Sequence, residues 1–299
     1  MTGITRVPVV FVNAYLVDIP DGSGDWVLVD TGLPGAGSTL ITQAAAARYG
    51  AGRPPRAIVL THGHFDHAGS AHALAHAWAA PVFAHWLELP YLTGQSDYPP
   101  GDPTVGGALA MMSRAFPRGG RDLGSHVRPL PTDGSVPHLP GWRVVQTPGH
   151  TPGHISLIRD DGALLAGDAL ATQDQEVWSS LVVKPRELHG PPAPLTYDWG
   201  AAVSSLQELA SLRPTSIAAG HGLPIEGGPV ADAFETFART FAPPPDGRYV
   251  RQPLLSDDHG LVRIPPPVPD PLGVMLRAVA VTAAIGSVVM LQVNNRRRG

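Results

Sequence analysis

The sequence predicts an α/β layered fold in which two sheets are covered by helices. Short apolar segments rich in Val, Ile and Leu alternate with longer helical segments, and this alternation occurs twice along the chain. The 34 Gly and 33 Pro residues follow no three-residue period, which indicates many turns and excludes a collagen-like chain. At 299 residues, the chain is long enough to bury a substantial core.

Each half of the regular part contains strands followed by helices. In the first half we predict strands at 7–12, 14–18, 26–30, 57–60 and 81–84, and helices at 38–49, 67–79 and 105–115. In the second half we predict strands at 142–147, 155–158, 163–166 and 215–219, and helices at 198–211 and 229–241. The remaining parts of 86–140 and 171–197 are rich in Pro and Gly and are predicted as loops.

Composition excludes several classes of function. The 21 basic residues are outnumbered by 25 acidic ones, so we expect a small-molecule substrate and no nucleic-acid partner. The chain has no cysteine, which excludes disulfides, thiolate metal sites and a cysteine nucleophile. Any transition-metal site must therefore be built from histidines and carboxylates.

The end of the chain differs in composition from the rest. We predict a catalytic domain at 1–242, a Pro-rich extended linker at 243–271, and a C-terminal apolar helix with a basic end at 272–299. Residues 272–293 would form a helix of about 33 Å, close to the hydrocarbon thickness of a bilayer. We expect a membrane anchor with the catalytic domain facing the cytoplasm; the alternative is a helix buried against protein.

The string THGHFDHAGS, residues 61–70, is the strongest candidate for a functional motif. It follows a predicted buried strand and precedes a helix. His62 and His64 would point the same way in an extended segment, because side chains two apart share a face. As the chain turns into the helix, Asp66 and His67 could point together toward a second position. One loop could therefore bind two metal ions, whereas the alternative is a solvated loop with Asp66 as a helix cap.

Three further candidate ligands follow predicted strands downstream. His150 lies in TPGHTPGH, Asp168 in LLAGDAL and His221 in AAGHGLP. Ligands collect at the carboxyl ends of strands in α/β sheets, and the flanking glycines allow a close approach. Taken singly, Asp168 could equally be a turn or cap residue, so the shared position at strand ends carries the prediction.

Taken in order over about residues 7–241, THGHFDHAGS, TPGHTPGH, AGD and AGHG resemble the motifs of the metallo-β-lactamase superfamily of hydrolases. They are most similar to its two-metal glyoxalase II and lactonase type. The resemblance implies a four-layer αββα sandwich with two metal ions at the sheet ends, and a structural role for Asp30 in LVDTGLPG. The ligands it implies are His62, His64 and His150 for the first metal, Asp66, His67 and His221 for the second, and Asp168 as a bridge.

Such a site would support hydrolysis of a small ester, thioester or lactone by a metal-bridging hydroxide. Asp66 would bind metal, orient the hydroxide and relay its proton. Zinc is the default metal, and iron or manganese are chemical alternatives. A β-lactamase or phosphodiesterase on the same dinuclear site remains an alternative function, as does a non-catalytic membrane-tethered metal-binding module.

Several other side chains are weaker candidates. His154 could support the ligands. His72 and His76 lie four apart on a predicted helix and could form a metal-binding pair; the alternative is two exposed residues on the helix face. Because loops beside a site often determine specificity, five residues are candidates for lining the substrate pocket. They are Trp86, Tyr91, Trp178, His189 and Tyr197.

Overall fold

The structure is a computed structural model that describes residues 1–119, 122–174, 186–270 and Gly273. Six strands form a first sheet in the order β1-β2-β3-β4-β5-β6, and five form a second in the order β11-β10-β9-β8-β7. The strands are β1 (Ile4–Val9), β2 (Val12–Asp18), β3 (Trp26–Val29), β4 (Ala57–Val59), β5 (Val82–Ala84), β6 (Val127–Pro129), β7 (Trp142–Gln146), β8 (Ile155–Arg159), β9 (Ala163–Leu165), β10 (Ser216–Ala218) and β11 (Ile225–Glu226). The helices that cover them are α1 (Ala36–Tyr49), α2 (Ala71–Trp78), α3 (Leu89–Leu92), α4 (Gly107–Met112), α5 (Trp199–Ser211) and α6 (Val230–Thr240).

Both sheets contain parallel as well as antiparallel strand pairs. The parallel pairs determine at which edge of each sheet the following loops lie. In the first sheet β3, β4, β5 and β6 run parallel, with Val29 opposite Val59. In the second sheet β9 and β10 run parallel, with Leu165 opposite Ala218. Because the carboxyl ends of parallel strands meet at one edge of a sheet, the segments after β4, β9 and β10 emerge beside their parallel neighbours.

Three apolar clusters define four layers, which confirms the predicted αββα sandwich. Alternating side chains of β3 face opposite sides, since successive residues of a strand point to opposite faces. Val27 packs between the sheets with Val59, Leu157 and Leu165. The other two clusters join a sheet to its helices, with Leu28, Ile58, Ile41 and Leu74 on the first sheet, and Leu164, Ile217, Leu206 and Phe234 on the second.

Two edge strands, the bounds of β1 and some helix ends differ from the sequence prediction. Strand β1 runs over Ile4–Val9 rather than 7–12. Strands β6 and β11 were not predicted, because three and two residues are too short to show an alternating pattern. Helix α2 begins at Ala71 rather than at residue 67, because residues 61–70 form the loop that carries the histidines.

The segment 243–271 is not an extended linker throughout. It contains helix α7 (Arg248–Arg251) and a hairpin of β12 (Leu255–Asp257) with β13 (Gly260–Arg263). Tyr249 is buried and donates a hydrogen bond to the carbonyl of Pro100 at 2.6 Å. Residues Met1–Pro266 form one compact unit. The proline runs do exclude regular structure locally, but the aromatic and apolar residues between them bury against the preceding part of the chain.

The predicted apolar helix at 272–299 lies outside the described residues, apart from Gly273. Within the part of the chain that the structure describes, no helix has both the length and the apolar character needed to span a bilayer.

Candidate metal centre

The structure brings all seven predicted ligands together at the ends of the two sheets. Each is buried, with no more than 5% of its surface exposed. We call them the seven donor residues. They form groups of three, and within each group the donor atoms lie within 4.8 Å of one another. The first group is His62, His64 and His150, and the second group is Asp66, His67 and His221. The seventh residue, Asp168, forms a further group with His62 and His67, one from each of these sets.

The first group consists of three imidazoles whose nitrogens face one point. Nδ1 of His64 lies 3.0 Å from Nε2 of His62 and 3.0 Å from Nε2 of His150. Burial lowers the pKa of His64 to about 3, and it lowers the pKa of His62 and His150 well below the usual value. The three rings are therefore neutral at physiological pH, which is the form of histidine that binds metal ions.

Asp168 lies between the two groups and contacts both. Its Oδ2 atom is 3.5 Å from Nε2 of His150 and 3.3 Å from Nε2 of His221, while Oδ1 is 3.3 Å from Nε2 of His67. Asp66 completes the second group, with Oδ2 at 3.5 Å from Nε2 of His221. One carboxylate can thus serve two cation positions.

The second group has a donor set that requires a cation. Nδ1 of His221 donates to the carbonyl of Phe11 at 2.9 Å, and Nδ1 of His67 donates to Oδ2 of Asp30 at 2.8 Å. In the neutral rings each Nε2 then presents a lone pair to carboxylate oxygens, which only a proton or a metal ion between them makes favourable. Nε2 of His67 and Oδ1 of Asp168 are buried without a hydrogen-bond partner. The residues therefore fit a bound metal ion.

The pKa shifts of His67, His221 and Asp168 are consistent with a cation bound in the second group. Burial alone would lower the pKa of His67, but the carboxylates of Asp168, Asp30 and Asp66 outweigh it and raise that pKa well above the usual value. Burial likewise opposes protonation of His221, and Asp168 and Asp66 again raise the pKa. Burial would raise the pKa of Asp168, yet His221 and His67 hold it well below the usual range. The second group thus attracts positive charge.

Two supporting side chains hold the donor residues from behind. Asp30, at the end of β3, accepts from the Thr61 backbone N–H at 2.8 Å as well as from His67, as its predicted structural role requires. The backbone N–H of Asp168 donates to Nε2 of His154 at 2.9 Å, and His154 contacts Thr147 through Nδ1 at 2.8 Å. Since Nε2 of His154 accepts that bond, His154 supports Asp168 and does not point at the centre.

Sequence reasoning missed Glu88, which follows β5 and is fully buried. Its carboxylate accepts hydrogen bonds from the backbones of Gly63 and Gly153, which lie in two different loops that carry histidines of the first group. A lone glutamate in a Pro-rich and Gly-rich region has no characteristic spacing, so no sequence signal could have identified it.

The residues that the sequence indicated less strongly lie in several places, some at the metal centre and others away from it. The hydroxyl of Tyr197 lies 3.2 Å from Nε2 of His64, so it belongs to the centre. Tyr91 is buried and stacks on Tyr98, and Trp86 is exposed. His189 lines a neighbouring cavity, which shares Gln173 and Asp174 as lining residues with the cavity beside the centre. His72 and His76 are exposed on α2, and Trp178 lies outside the described residues.

An apolar cavity of about 280 Å³ opens beside the centre. Asp66, Asp168 and His221 form one part of its wall. The rest is mainly apolar, and its larger side chains are Phe11, Phe65, Leu109, Met112, Phe116 and Leu195. None of the described residues that line this cavity is Lys or Arg.

The fold and the seven donor residues together are typical of metallo-hydrolases. A comparison with known protein families agrees with this assignment. Residues 7–221 match the model of the metallo-beta-lactamase superfamily, and the chain belongs to that family. The resemblance noted in the sequence is thereby confirmed at the level of the superfamily.

Two curated relatives come from Bacillus subtilis (strain 168). The probable metallo-hydrolase YflN is 44% identical over 227 residues, covering 75% of this chain and 86% of the relative. The probable metallo-hydrolase YybB is 31% identical, covering 68% of this chain and 78% of the relative. The glyoxalase II type is only distantly related: a hydroxyacylglutathione hydrolase from Anaeromyxobacter dehalogenans is 33% identical, covering 49% of this chain and 42% of its own length.

Solved structures show the same fold. A metallo-beta-lactamase family protein from Thermus thermophilus aligns with a TM-score of 0.53 and 25% identity, covering 80% of this chain and 79% of that protein. The protein TTHA1623, solved in a di-iron-bound form, aligns with a TM-score of 0.50 and 28% identity, covering 79% of this chain and 97% of its own.

Proposed function

We propose that this chain is a dinuclear metal-dependent hydrolase that cleaves a small ester, thioester or lactone. The observation that carries the proposal is the position of Asp168, whose two oxygens contact histidines of both groups. A bridging carboxylate between two buried donor sets is the arrangement expected of a two-metal site. Zinc fits histidine and carboxylate donors, and iron or manganese fit the same set.

The chemistry needs a nucleophile, a polarised carbonyl and a proton acceptor. Two divalent ions held by the seven donor residues would activate a shared water as the nucleophile and polarise the substrate carbonyl. Asp66 contacts His221 and also lines the cavity, which supports a role in orienting that nucleophile and passing its proton to the leaving group. No covalent protein intermediate is required.

The cavity supports an uncharged acyl substrate. Its wall is mainly apolar, and the acidic side chains that line it are Asp66, Asp168 and Asp174. A phosphodiester would depend on the metal ions alone to neutralise its phosphate, because the described lining residues include no Lys or Arg to pair with it. An ester or lactone can place its carbonyl near the centre and its acyl group against the phenylalanines.

A substrate panel on zinc-loaded protein tests the proposal. The panel contains a lactone, a thioester, a chromogenic ester, a β-lactam and a phosphodiester. We expect hydrolysis of at least one of the first three, and its loss in Asp66→Ala and His64→Ala. His72→Ala is the matched control, because His72 is an exposed histidine on α2. Hydrolysis of none of the three acyl substrates, or full activity after metal removal, would contradict the proposal.

A further inference from the structure

Glu88 joins the two loops that carry the first group of donor residues. Oε2 accepts from the backbone N–H of Gly63 at 2.9 Å, and Gly63 lies between His62 and His64. Oε1 accepts from the backbone N–H of Gly153 and from the hydroxyl of Thr151, both at 2.8 Å. Thr151 directly follows His150. Each oxygen of one carboxylate therefore holds one of the two loops.

The residues around Glu88 pack closely against its side chain. The hydroxyl of Tyr98 also donates to Oε2, and it accepts from the N–H of Gly63 at 3.0 Å. A Cβ atom at Gly153 would lie 2.9 Å from Cγ of Glu88, and one at Gly63 would lie 2.7 Å from the Tyr98 hydroxyl. Glycine at position 153 thus lets its loop approach Glu88 closely, and glycine at position 63 leaves room for the Tyr98 hydroxyl that donates to Glu88.

Glu88 is fully buried, yet its surroundings match the hydrogen-bonding capacity of an ionised carboxylate. Four donors converge on its two oxygens, which an ionised carboxylate can accept in full. Burial nevertheless raises the pKa of Glu88, and no ion pair to this residue occurs in the described part of the chain. Burying a carboxylate without a cationic partner is costly. The four hydrogen bonds offset part of this cost and connect the two loops.

We propose that Glu88 is a positioning residue that sets the spacing of His62, His64 and His150 for the first metal ion. This inference rests on the proposed metal centre. Two partners of Glu88, Gly63 and Thr151, are sequence neighbours of His62, His64 and His150, so we expect its effect to be greatest in the first group. Through this carboxylate the two loops keep their three imidazole nitrogens directed at one point.

Glutamine at this position separates positioning from simple space filling. A side-chain amide has nearly the same shape as the carboxylate, but one of its two ends carries N–H groups. Whichever way the amide is turned, that end faces a backbone N–H, of either Gly63 or Gly153. One loop therefore loses its anchor in Glu88→Gln while the packing volume is kept.

The test measures binding of Zn²⁺ alone, by competition with a chromophoric chelator. The full chain carries His221→Ala so that only the first group remains complete. We expect Glu88→Gln to weaken Zn²⁺ binding by about 10- to 100-fold, the range found for partners that orient metal ligands. With His150→Ala instead, where only the second group remains complete, we expect Glu88→Gln to leave Zn²⁺ binding within about twofold.

A second buried carboxylate provides the matched control. Asp102 accepts from the N–H and the hydroxyl of Thr104 at 2.9 and 2.6 Å, and it also accepts from the N–H of Arg248, away from the donor residues. Asp102→Asn should lower the melting temperature without weakening Zn²⁺ binding. If Glu88→Gln does not fold, Tyr98→Phe removes one donor to Oε2 and should weaken first-group binding in the same direction.

The outcomes separate this inference from the proposed function. Unchanged first-group affinity in folded Glu88→Gln, or in Tyr98→Phe where the glutamine variant does not fold, would overturn the inference and leave the proposed metal centre intact. Equal losses in Glu88→Gln and Asp102→Asn would overturn it too, because the effect would then be general destabilisation. Absence of Zn²⁺ binding in the unmodified chain would contradict the proposed function itself.

Discussion

Nδ1 of His67 lies 2.8 Å from Oδ2 of Asp30, and both side chains are buried. This contact joins the end of β3 to the loop before α2. It fixes the ring of His67 so that its Nε2 atom faces Asp168. The tautomer of a histidine ligand is set by the partner of its other nitrogen, so Asp30 determines whether His67 can bind a metal ion.

Asp30→Asn should therefore impair the second group. The amide oxygen can still accept from Thr61, but the amide N–H₂ then faces Nδ1 of His67 and favours the tautomer with the proton on Nε2. We expect Zn²⁺ affinity of the second group, measured in the His150→Ala chain, to fall about 10- to 100-fold. Asp18→Asn alters a partly exposed carboxylate that pairs with Arg48, and it should leave the Zn²⁺ affinity of the second group unchanged. Equal effects of the two substitutions would refute this role of Asp30.

Gly220→Ala should disrupt the centre by steric conflict alone. A Cβ atom there would lie 2.1 Å from Oδ1 of Asp168 and 2.5 Å from Cε1 of His67. We expect a loss of about 1–3 kcal/mol in the free energy of unfolding together with weaker Zn²⁺ binding. Gly200→Ala is the control, because the nearest atom to its added carbon is 3.4 Å away. Thermal unfolding and metal analysis of both variants decide the matter, and a Gly220→Ala protein with normal zinc content would disprove the prediction.

The two groups should differ in the pH dependence of metal binding. Nearby carboxylates raise the pKa of His67 and His221, so without metal these rings keep their protons to a higher pH than free imidazole does, and a metal ion must displace those protons. The first group holds no such protons at neutral pH, since the pKa of His64 is about 3. Lowering the pH should therefore weaken the second group first, by about tenfold per pH unit for each displaced proton.

Zn²⁺ titrations at several pH values between about 6 and 8 check this difference. The His221→Ala chain reports the first group and the His150→Ala chain reports the second. The slope of log Kd against pH should be steeper for the second group. A steeper slope for the first group would contradict the charge distribution described above.

The positions of the donor residues were predictable because each depends on local sequence. THGHFDHAGS directly follows a short buried strand, and His150, Asp168 and His221 each follow a strand whose apolar pattern is clear. The carboxyl ends of parallel strands meet at one edge of a sheet, so residues that directly follow different strands lie close together in space. The structure brings these side chains together; their assignment as metal ligands stays a prediction.

Apart from the roles of Asp30 and His154, the supporting contacts were not predictable, because they join residues far apart in the sequence. The Phe11 carbonyl that orients His221 is a backbone atom, and no residue pattern identifies it. Glu88 acts through backbone N–H groups of glycines in two other segments. The hairpin after α7 was missed for a different reason: the surrounding proline runs suggested an extended linker, whereas burial of Tyr249 and its neighbours determines the structure there.

The most direct test of the two-group centre is the metal content of the chain before and after substitution of Asp168. The unmodified chain is loaded with zinc and freed of excess metal. It should then retain about two zinc ions per chain, measured by inductively coupled plasma mass spectrometry. Asp168→Ala removes the carboxylate that both groups contact and should retain about one or fewer. An unmodified chain that retains no zinc, or an Asp168→Ala chain that retains as much as the unmodified one, would contradict the account.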